Sequence, residues 1–376
     1  MKCAVFISDV GFGHMVRQRQ IILKLRDEIK NIKITIFHKK NLKILKKTFG
    51  NKVNYVNNYN NITLRTTKKG FLEKQKAIHD LKSWPKKANL FLKKNEKKLK
   101  QYDFFISDLV PEIAFFAKKN NKPCFSVCHF TWDWFYKNLI KKESKEIKIM
   151  EKYTKMSTKI YFPPLTFPVI LKNYKKKKNV NFITNKIKNK IIKKKEKFFK
   201  VLIMNNGTET LSHLINNIIL SLSKFKRFKF FVSTNRLTKE KKIKIKKINN
   251  IVLIDSSLKK MYSFINKVDI VVARGGYNTI SECLVLKKPS ILSHEIKNPE
   301  VNENLKIMKK KNFSSTMNYK DWEEQRFKIK IESFLKKDYK TIKNKVSKNK
   351  FKNNGASQIV QDIKKELKKF YDKNYC

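Results

Sequence analysis

The chain has 376 residues, 41% of them hydrophobic, which suits two globular domains and excludes a disordered chain. Its 89 basic residues against 30 acidic ones give a net charge of +59, so nucleic acid or an anionic membrane surface comes first to mind. Yet 81 of those bases are lysine and only 8 arginine, spread along the whole chain, whereas phosphate readers favour the planar arginine fork. Compositional drift is the simpler reading, with weak peripheral contact with an anionic membrane beside it and no nucleic-acid partner. Cys3, Cys124, Cys128, Cys283 and Cys376 form no CxxC pair and fit free thiols in a reduced, cytoplasmic protein. The first apolar stretch is interrupted too soon for a signal peptide or a membrane span.

In chain order, Cys3–Val10 predicts a buried strand. A glycine turn follows at Gly11–His14, then a helix with Ile21, Ile22, Leu25 and Ile29 on one face. Strands follow at Lys33–Phe37 and Val53–Val56, and a lysine-rich helical pattern over Phe71–Leu99 is interrupted at Pro85. Asp103–Leu109 and Pro123–Phe130 predict two more strands, with a helix running to Ala117 between them. The cluster Pro163, Pro164 and Pro168 and the lysine runs after it read as a linker. A second series then begins with the strand Val201–Met204, a turn at Gly207 and an amphipathic helix carrying Leu211, Leu214, Ile215, Ile218, Ile219 and Leu222. Phe228–Val232, Ile251–Ile254, Val268–Ala273 and Ser290–Leu292 are further strands, and a last helix after Gly355 carries Ile359, Val360, Ile363, Leu367 and Phe370 on one side.

Strands alternating with helices predict α/β architecture with parallel sheets: two Rossmann-like doubly wound domains facing a cleft. The expected division is 1–165, a lysine-rich linker 166–198, a second domain 199–350, and a C-terminal helix 351–376 packing back on the first domain. The chain has only eight glycines, and five of them (Gly11, Gly13, Gly207, Gly275, Gly276) fall in three strand-to-helix turns. Such turns bring backbone amides close to a ligand, most often a phosphate. The strongest is Arg274–Glu282, RGGYNTISE, between an apolar strand and a helical pattern.

RGGYNTISE, then KKPSIL and EVNEN, resembles the donor-binding stretch of GT-B glycosyltransferases, in particular the group of the peptidoglycan N-acetylglucosaminyltransferase. DVGFGHMVRQ is similar to the GFGHxxR loop of a glycosyltransferase-like family, and PCFSVCHFTWDWFY is similar to that family's later FTWDWxY segment. The resemblance implies a GT-B fold and transfer from a nucleotide sugar, with a uridine diphosphate sugar as the expected donor. It implies that Glu282 binds the ribose hydroxyls, that Gly275, Gly276 and Thr279 lie at the diphosphate with Arg274 and Asn278 in the same turn, and that Glu300 and Asn304 meet the donor sugar. Val301 replaces the family's Gln and removes one hydrogen bond to that sugar. Gly207 and Thr208, in the second domain's first turn, are further donor contacts.

The chemistry of the residues agrees. Glycine amides and a helix N-terminus can stabilise a departing diphosphate. No Asp-x-Asp pair occurs, so no cofactor and no metal are expected. An acceptor hydroxyl needs a base. By the resemblance His14 is that base and Asp108 its orienting carboxylate; read on their own, His14 also suits contact with a phosphate and Asp108 the cap of the following helix. Glu282 has a solvated helix position as its plainer alternative. Arg17 shares a helix face with His14, to reach a phosphate or pair with a carboxylate. Gly13, Arg17, His129, Trp132, Asp133 and Trp134 are candidates for the acceptor side, where aromatic rings suit sugars, although two tryptophans in a loop also serve plain packing. His38, His79, His213 and His294 carry no usable pattern.

The leading expectation is therefore a nucleotide-sugar glycosyltransferase with a glycan or lipid-linked acceptor of the cell envelope, a partner that suits a basic surface near anionic lipid. The alternatives are a hydrolase of the same fold that gives the sugar to water, an inactive sugar-binding relative, and a basic nucleic-acid-binding protein. The last would need clustered arginine and a strip of exposed aromatics, which the sequence lacks.

Overall fold

The computed structural model describes residues 1–376 except 11–12, 41, 58–61, 63, 68–70, 186–197, 206–208, 234–236, 255–257 and 376. Thirteen strands lie among the described residues: β1 (Lys2–Ile7), β2 (Lys33–Phe37), β3 (Asn54–Val56), β4 (Phe104–Asp108), β5 (Cys124–Val127), β6 (Lys159–Phe162), β7 (Lys177–Asn179), β8 (Phe199–Met204), β9 (Phe228–Ser233), β10 (Ile251–Ile254), β11 (Ile270–Arg274), β12 (Ser290–Ser293) and β13 (Ser315–Met317). They form two all-parallel sheets, ordered β3-β2-β1-β4-β5-β6-β7 and β10-β9-β8-β11-β12-β13. From β3 to β6 and throughout the second sheet, this is the doubly wound order whose connections reverse direction beside the first strand. Ligands of such sheets bind at that reversal, outside the carboxyl ends of the strands. It falls between β1 and β4 in one sheet and between β8 and β11 in the other.

The chain divides into two compact units, residues 1–65, 73–183 and 352–376 in one and 66–72 and 184–351 in the other. In the first, helices cover both faces of the sheet, so its central strands are continuous apolar runs rather than alternating ones. Residues 3–7 of β1 are wholly buried, and so is all of β4. Phe6 stacks on Phe37 with ring centroids 4.1 Å apart and meets Phe91 edge-on at 6.3 Å. Each such ring contributes on the order of 1.5–3 kcal/mol by leaving water. In the second unit Phe225 meets Phe228 and Phe230 edge-on, and the indole of Trp322 donates to the Ser293 hydroxyl at 3.0 Å.

The last helix, Gly355–Tyr375, belongs to the first unit. Ile359, Val360, Ile363 and Leu367 are buried, while the Tyr161 hydroxyl donates to Asp362 at 3.0 Å. Lys159 pairs with Asp362 at 3.2 Å and Glu366 at 2.7 Å. At the helix start a Cβ on residue 355 would come within 2.0 Å of the Asn181 carbonyl oxygen, so only glycine fits there.

Several elements depart from the sequence reading. Residues 166–183 do not form a linker: they supply the helix Pro168–Asn173 and the edge strand β7, with Ile170, Tyr174 and Phe182 buried in the first unit. Most of the remaining expected linker lies outside the described residues. The helix Lys74–Lys100 continues through Pro85 instead of breaking, because Leu81, Trp84 and Ala88 beside it are buried and that packing outweighs one lost hydrogen bond. Trp132–Ile140 is a helix, not a loop. No described helix is long and apolar enough to cross a membrane.

Candidate functional site

In the first unit the turn after β1 leads into the helix Gly13–Glu28, which begins at Gly13 and carries His14, Arg17 and Gln18 in its first turns. Residues three and four apart share a helix face, and this face meets the end of β4. There Asp108, fully buried, collects four bonds: His14 Nδ1 at 2.8 Å from Oδ1, Arg17 Nη2 at 2.5 Å from Oδ1, Arg17 Nε at 3.1 Å from Oδ2, and Gln18 Nε2 at 2.9 Å from Oδ2. Burial pushes the Asp108 carboxyl up, but the charges of Arg17 and His14 outweigh it and hold it at about 2. An ionised Asp108 accepts only, so His14 Nδ1 is the donor and its proton is fixed on that nitrogen. With Nδ1 donating to Asp108, the Arg17 Nη2 atom 3.2 Å from the same nitrogen is a neighbour and not a hydrogen-bond partner. Arg17 Nη1 also lies 3.3 Å from His129 Nδ1.

Asp108 does not cap the following helix, Pro111–Lys119, whose N-cap is Val110. Arg17 is 2% exposed and its guanidinium is engaged with Asp108, so it is set inside the cluster. His129, Trp132 and Asp133 are buried as well. The Trp132 indole donates to the Leu109 carbonyl at 2.9 Å, and Asp133 accepts from the Tyr174 hydroxyl at 2.8 Å. Burial pushes Asp133 up to about 6 even though the Tyr174 bond pulls the other way. Trp134, half-buried and packed on Phe167 at 4.4 Å between centroids, is the one of these side chains with substantial surface. Gln18 and the Asp9–His38 pair, joined at 2.8 Å just past the ends of β1 and β2, escaped the sequence reading. A glutamine on a helix face carries no signal of its own, and the partner of His38 lies 29 residues away.

In the second unit β11 ends at Arg274, and the turn closes with the Gly276 amide donating to the Arg274 carbonyl at 2.8 Å. The helix Tyr277–Val285 starts there with Gly276 as N-cap, and among the described residues no side chain caps it. A Cβ on Gly275 would lie 2.6 Å from the nearest Leu305 methyl, so the turn lies tight against the helix Pro299–Lys310. That helix also sends Asn304 Nδ2 to the Gly275 carbonyl at 3.2 Å. Thr279 and Glu282 are buried, Asn278 and Glu300 half-buried. Burial raises the Glu282 carboxyl to about 8. Glu282 is thus no solvated helix residue. Arg274 Nε donates to Glu295 at 2.5 Å, and Asn298 donates to the same oxygen at 2.9 Å. Neither Glu295 nor Asn298 stood out in the sequence. Val301 is fully buried in the core of this unit. Gly207 and Thr208 lie outside the described residues. No cluster of three or more His, Cys, Asp or Glu is placed to hold a metal among the described residues.

Residues 206–367 match the model of the glycosyltransferase family 28 C-terminal domain. No curated protein matches the chain in sequence. Among solved structures, MurG of Acinetobacter baumannii superposes with a TM-score of 0.61 at 11% identity, covering 97% of this chain and 100% of that one. CalG4, the calicheamicin glycosyltransferase, gives 0.68 at 9% identity over 98% of both chains. Phytolacca americana UGT2, solved with UDP-2fluoro-glucose and pterostilbene, gives 0.65 at 9% identity over 98% of this chain and 99% of that one. The two sheets with their flanking helices are those of the GT-B fold. The chain is a glycosyltransferase, and the stretch similar to the family 28 C-terminal domain lies mostly in its second unit and runs into the last helix.

Proposed function

We propose that the protein transfers a sugar from a nucleotide diphosphate sugar, with uridine as the nucleoside, to a hydroxyl acceptor. The observation that carries this reading is the His14–Asp108 contact of 2.8 Å at the reversal point of the first sheet. With its proton fixed on Nδ1, His14 can take the acceptor's hydroxyl proton on Nε2, and Asp108 stabilises the imidazolium that results. The acceptor oxygen then forms its bond to the anomeric carbon as the bond to the diphosphate oxygen breaks. The diphosphate leaves with that electron pair. Asn278 and Thr279, in the first turn of the helix Tyr277–Val285, meet it with backbone and hydroxyl donors and the positive end of the helix dipole, while Gly275 and Gly276, whose amides bond the Ser293 and Arg274 carbonyls, shape the turn that lets it approach.

Glu282 holds the ribose hydroxyls, and Glu300 and Asn304 lie toward the sugar. Trp134 supplies the acceptor with an aromatic surface. The acceptor is a glycan or lipid-linked saccharide of the cell envelope, reached at the cytoplasmic face of a membrane, whose anionic lipids attract the +59 chain. A thermal-shift panel of nucleotides tests the donor site. Uridine diphosphate at a hundredfold excess over its dissociation constant should stabilise the fold by about 2.7 kcal/mol. Glu282→Ala should lose most of that shift. Equal stabilisation by every nucleotide diphosphate would remove uridine from the proposal, and no stabilisation by any would remove the donor site.

A further inference from the structure

The residue that follows Asp108 has an unusual backbone. Leu109 lies in the left-handed region at φ 57°, which a leucine side chain enters only against steric resistance. Three of the eight described non-glycine residues in that region are asparagines, which tolerate it. Leu109 has no such excuse and is almost fully buried. The turn is fastened on one side by Ser107, whose hydroxyl accepts from the Val110 amide at 3.1 Å and donates to the Val110 carbonyl at 2.9 Å. On the other side the Leu109 carbonyl accepts the indole N–H of Trp132 at 2.9 Å. Trp132 is 1% exposed, and the rings of Phe130, Phe135 and Tyr136 surround it at 5.4, 5.2 and 5.8 Å between centroids. A buried indole N–H needs an acceptor, and a left-handed leucine needs something that prevents its relaxation. Each supplies what the other lacks.

We propose that Trp132 is a positioning residue for the His14–Asp108 pair. Its indole latches the Leu109 carbonyl, holds the left-handed turn, and thereby fixes the end of β4 from which Asp108 meets His14 Nδ1. The inference rests on the catalytic reading of that pair. It takes Trp132 away from the acceptor surface and gives it a task behind the base. Release of the latch lets Leu109 fall back to an ordinary conformation, turns the peptide after Asp108, and frees the His14 ring from a single tautomer.

The test is nuclear magnetic resonance of the histidine rings in the full-length, nitrogen-15-labelled chain, with His14 assigned by its loss in His14→Gln. The native chain should show His14 with its proton on Nδ1. A native His14 protonated on Nε2, or mixed, would overturn the His14–Asp108 reading itself before any latch variant is made. Trp132→Phe keeps an aromatic ring and removes the donor; it should give a mixed tautomer. Leu109→Gly added to Trp132→Phe should restore the Nδ1–H signature, because glycine occupies the left-handed region freely. An unchanged tautomer in Trp132→Phe, or a loss that Leu109→Gly does not reverse, would overturn the latch. If Trp132→Phe fails to fold, Leu109→Val leaves the indole in place and strains the same turn. It should lose the signature, and an unchanged signature would again overturn the proposal.

Discussion

The two sheets share one strand order through their central strands, yet the turns at their reversal points differ in kind. At β1 and β4 the place is built from side chains: His14, Arg17 and Gln18 all converge on one buried carboxylate that keeps its charge. At β11 it is built from backbone, a glycine turn and a helix start, and the nearby Glu282 is pushed by burial toward its neutral form. At the first place the buried carboxylate has its counter-charges built in, whereas burial alone sets the Glu282 carboxyl at the second. The fold thus decides where ligands can be met, while a handful of residues decide what is done there.

The sharpest way to break this contrast is to remove the proposed base. His14→Ala should lower turnover by roughly 10²–10⁴ while leaving the thermal shift by uridine diphosphate nearly unchanged. An equal loss of nucleotide binding would make the first turn a phosphate site too, and the two turns would become alike. Next in size is Asp108→Ala, which strands the buried Arg17 charge and should cost about 3–5 kcal/mol in denaturant unfolding at pH 7. The Asp108 pKa is lowered in the folded state, so its contribution is present above the ordinary aspartate value and fades as pH falls through about 2. The deficit of the variant should therefore shrink between about pH 4 and 2.

Gly275→Ala probes the backbone turn, since its Cβ would press on the buried Leu305; overpacking of this kind costs about 1–3 kcal/mol. Glu282→Gln should give a smaller effect with the opposite pH sense from Asp108. The raised pKa of Glu282 means that the native carboxyl is favourable at low pH and loses that advantage as pH rises toward about 8. The ligand-free variant should thus match the native melting temperature near pH 4 and exceed it at pH 8. A native chain that gains on the variant with rising pH would mean Glu282 has a counter-charge after all. Smallest of all is salt: raising it from about 50 to 200 mM should change uridine diphosphate affinity far less than the roughly 10³–10⁵ expected of a many-phosphate contact.

Much of this contrast was legible in the sequence, because parallel strands buried on both faces announce themselves as apolar runs. β2 and β10 match their expected bounds, and the scarcity of glycine made RGGYNTISE conspicuous. His14 and Asp108 were nameable because each stands beside the end of a legible strand. What stayed hidden lacked periodicity or depended on long-range contact. β7 is three exposed residues, KKN, with no apolar face to read. Pro85 carries a local signal for a break that distant packing overrides. Arg17 and Trp132 were visible as chemistry, but their direction was not. A guanidinium turned inward onto Asp108 and an indole turned onto a backbone carbonyl look, in sequence, like groups waiting for a ligand.

The attachment of the last helix has a consequence for how the chain is made. The first unit is closed by the helix Gly355–Tyr375, and all of residues 184–351 lie between that helix and the rest of its sheet. At ordinary ribosomal speeds of about 5–20 residues per second, that insertion takes on the order of 10–30 s to synthesise. During this time the surface that will receive Ile359, Val360, Ile363 and Leu367 is bare on the nascent chain. The second unit can therefore mature while the first still waits for its closing piece, an inversion of the usual order in which the amino-terminal domain is finished first.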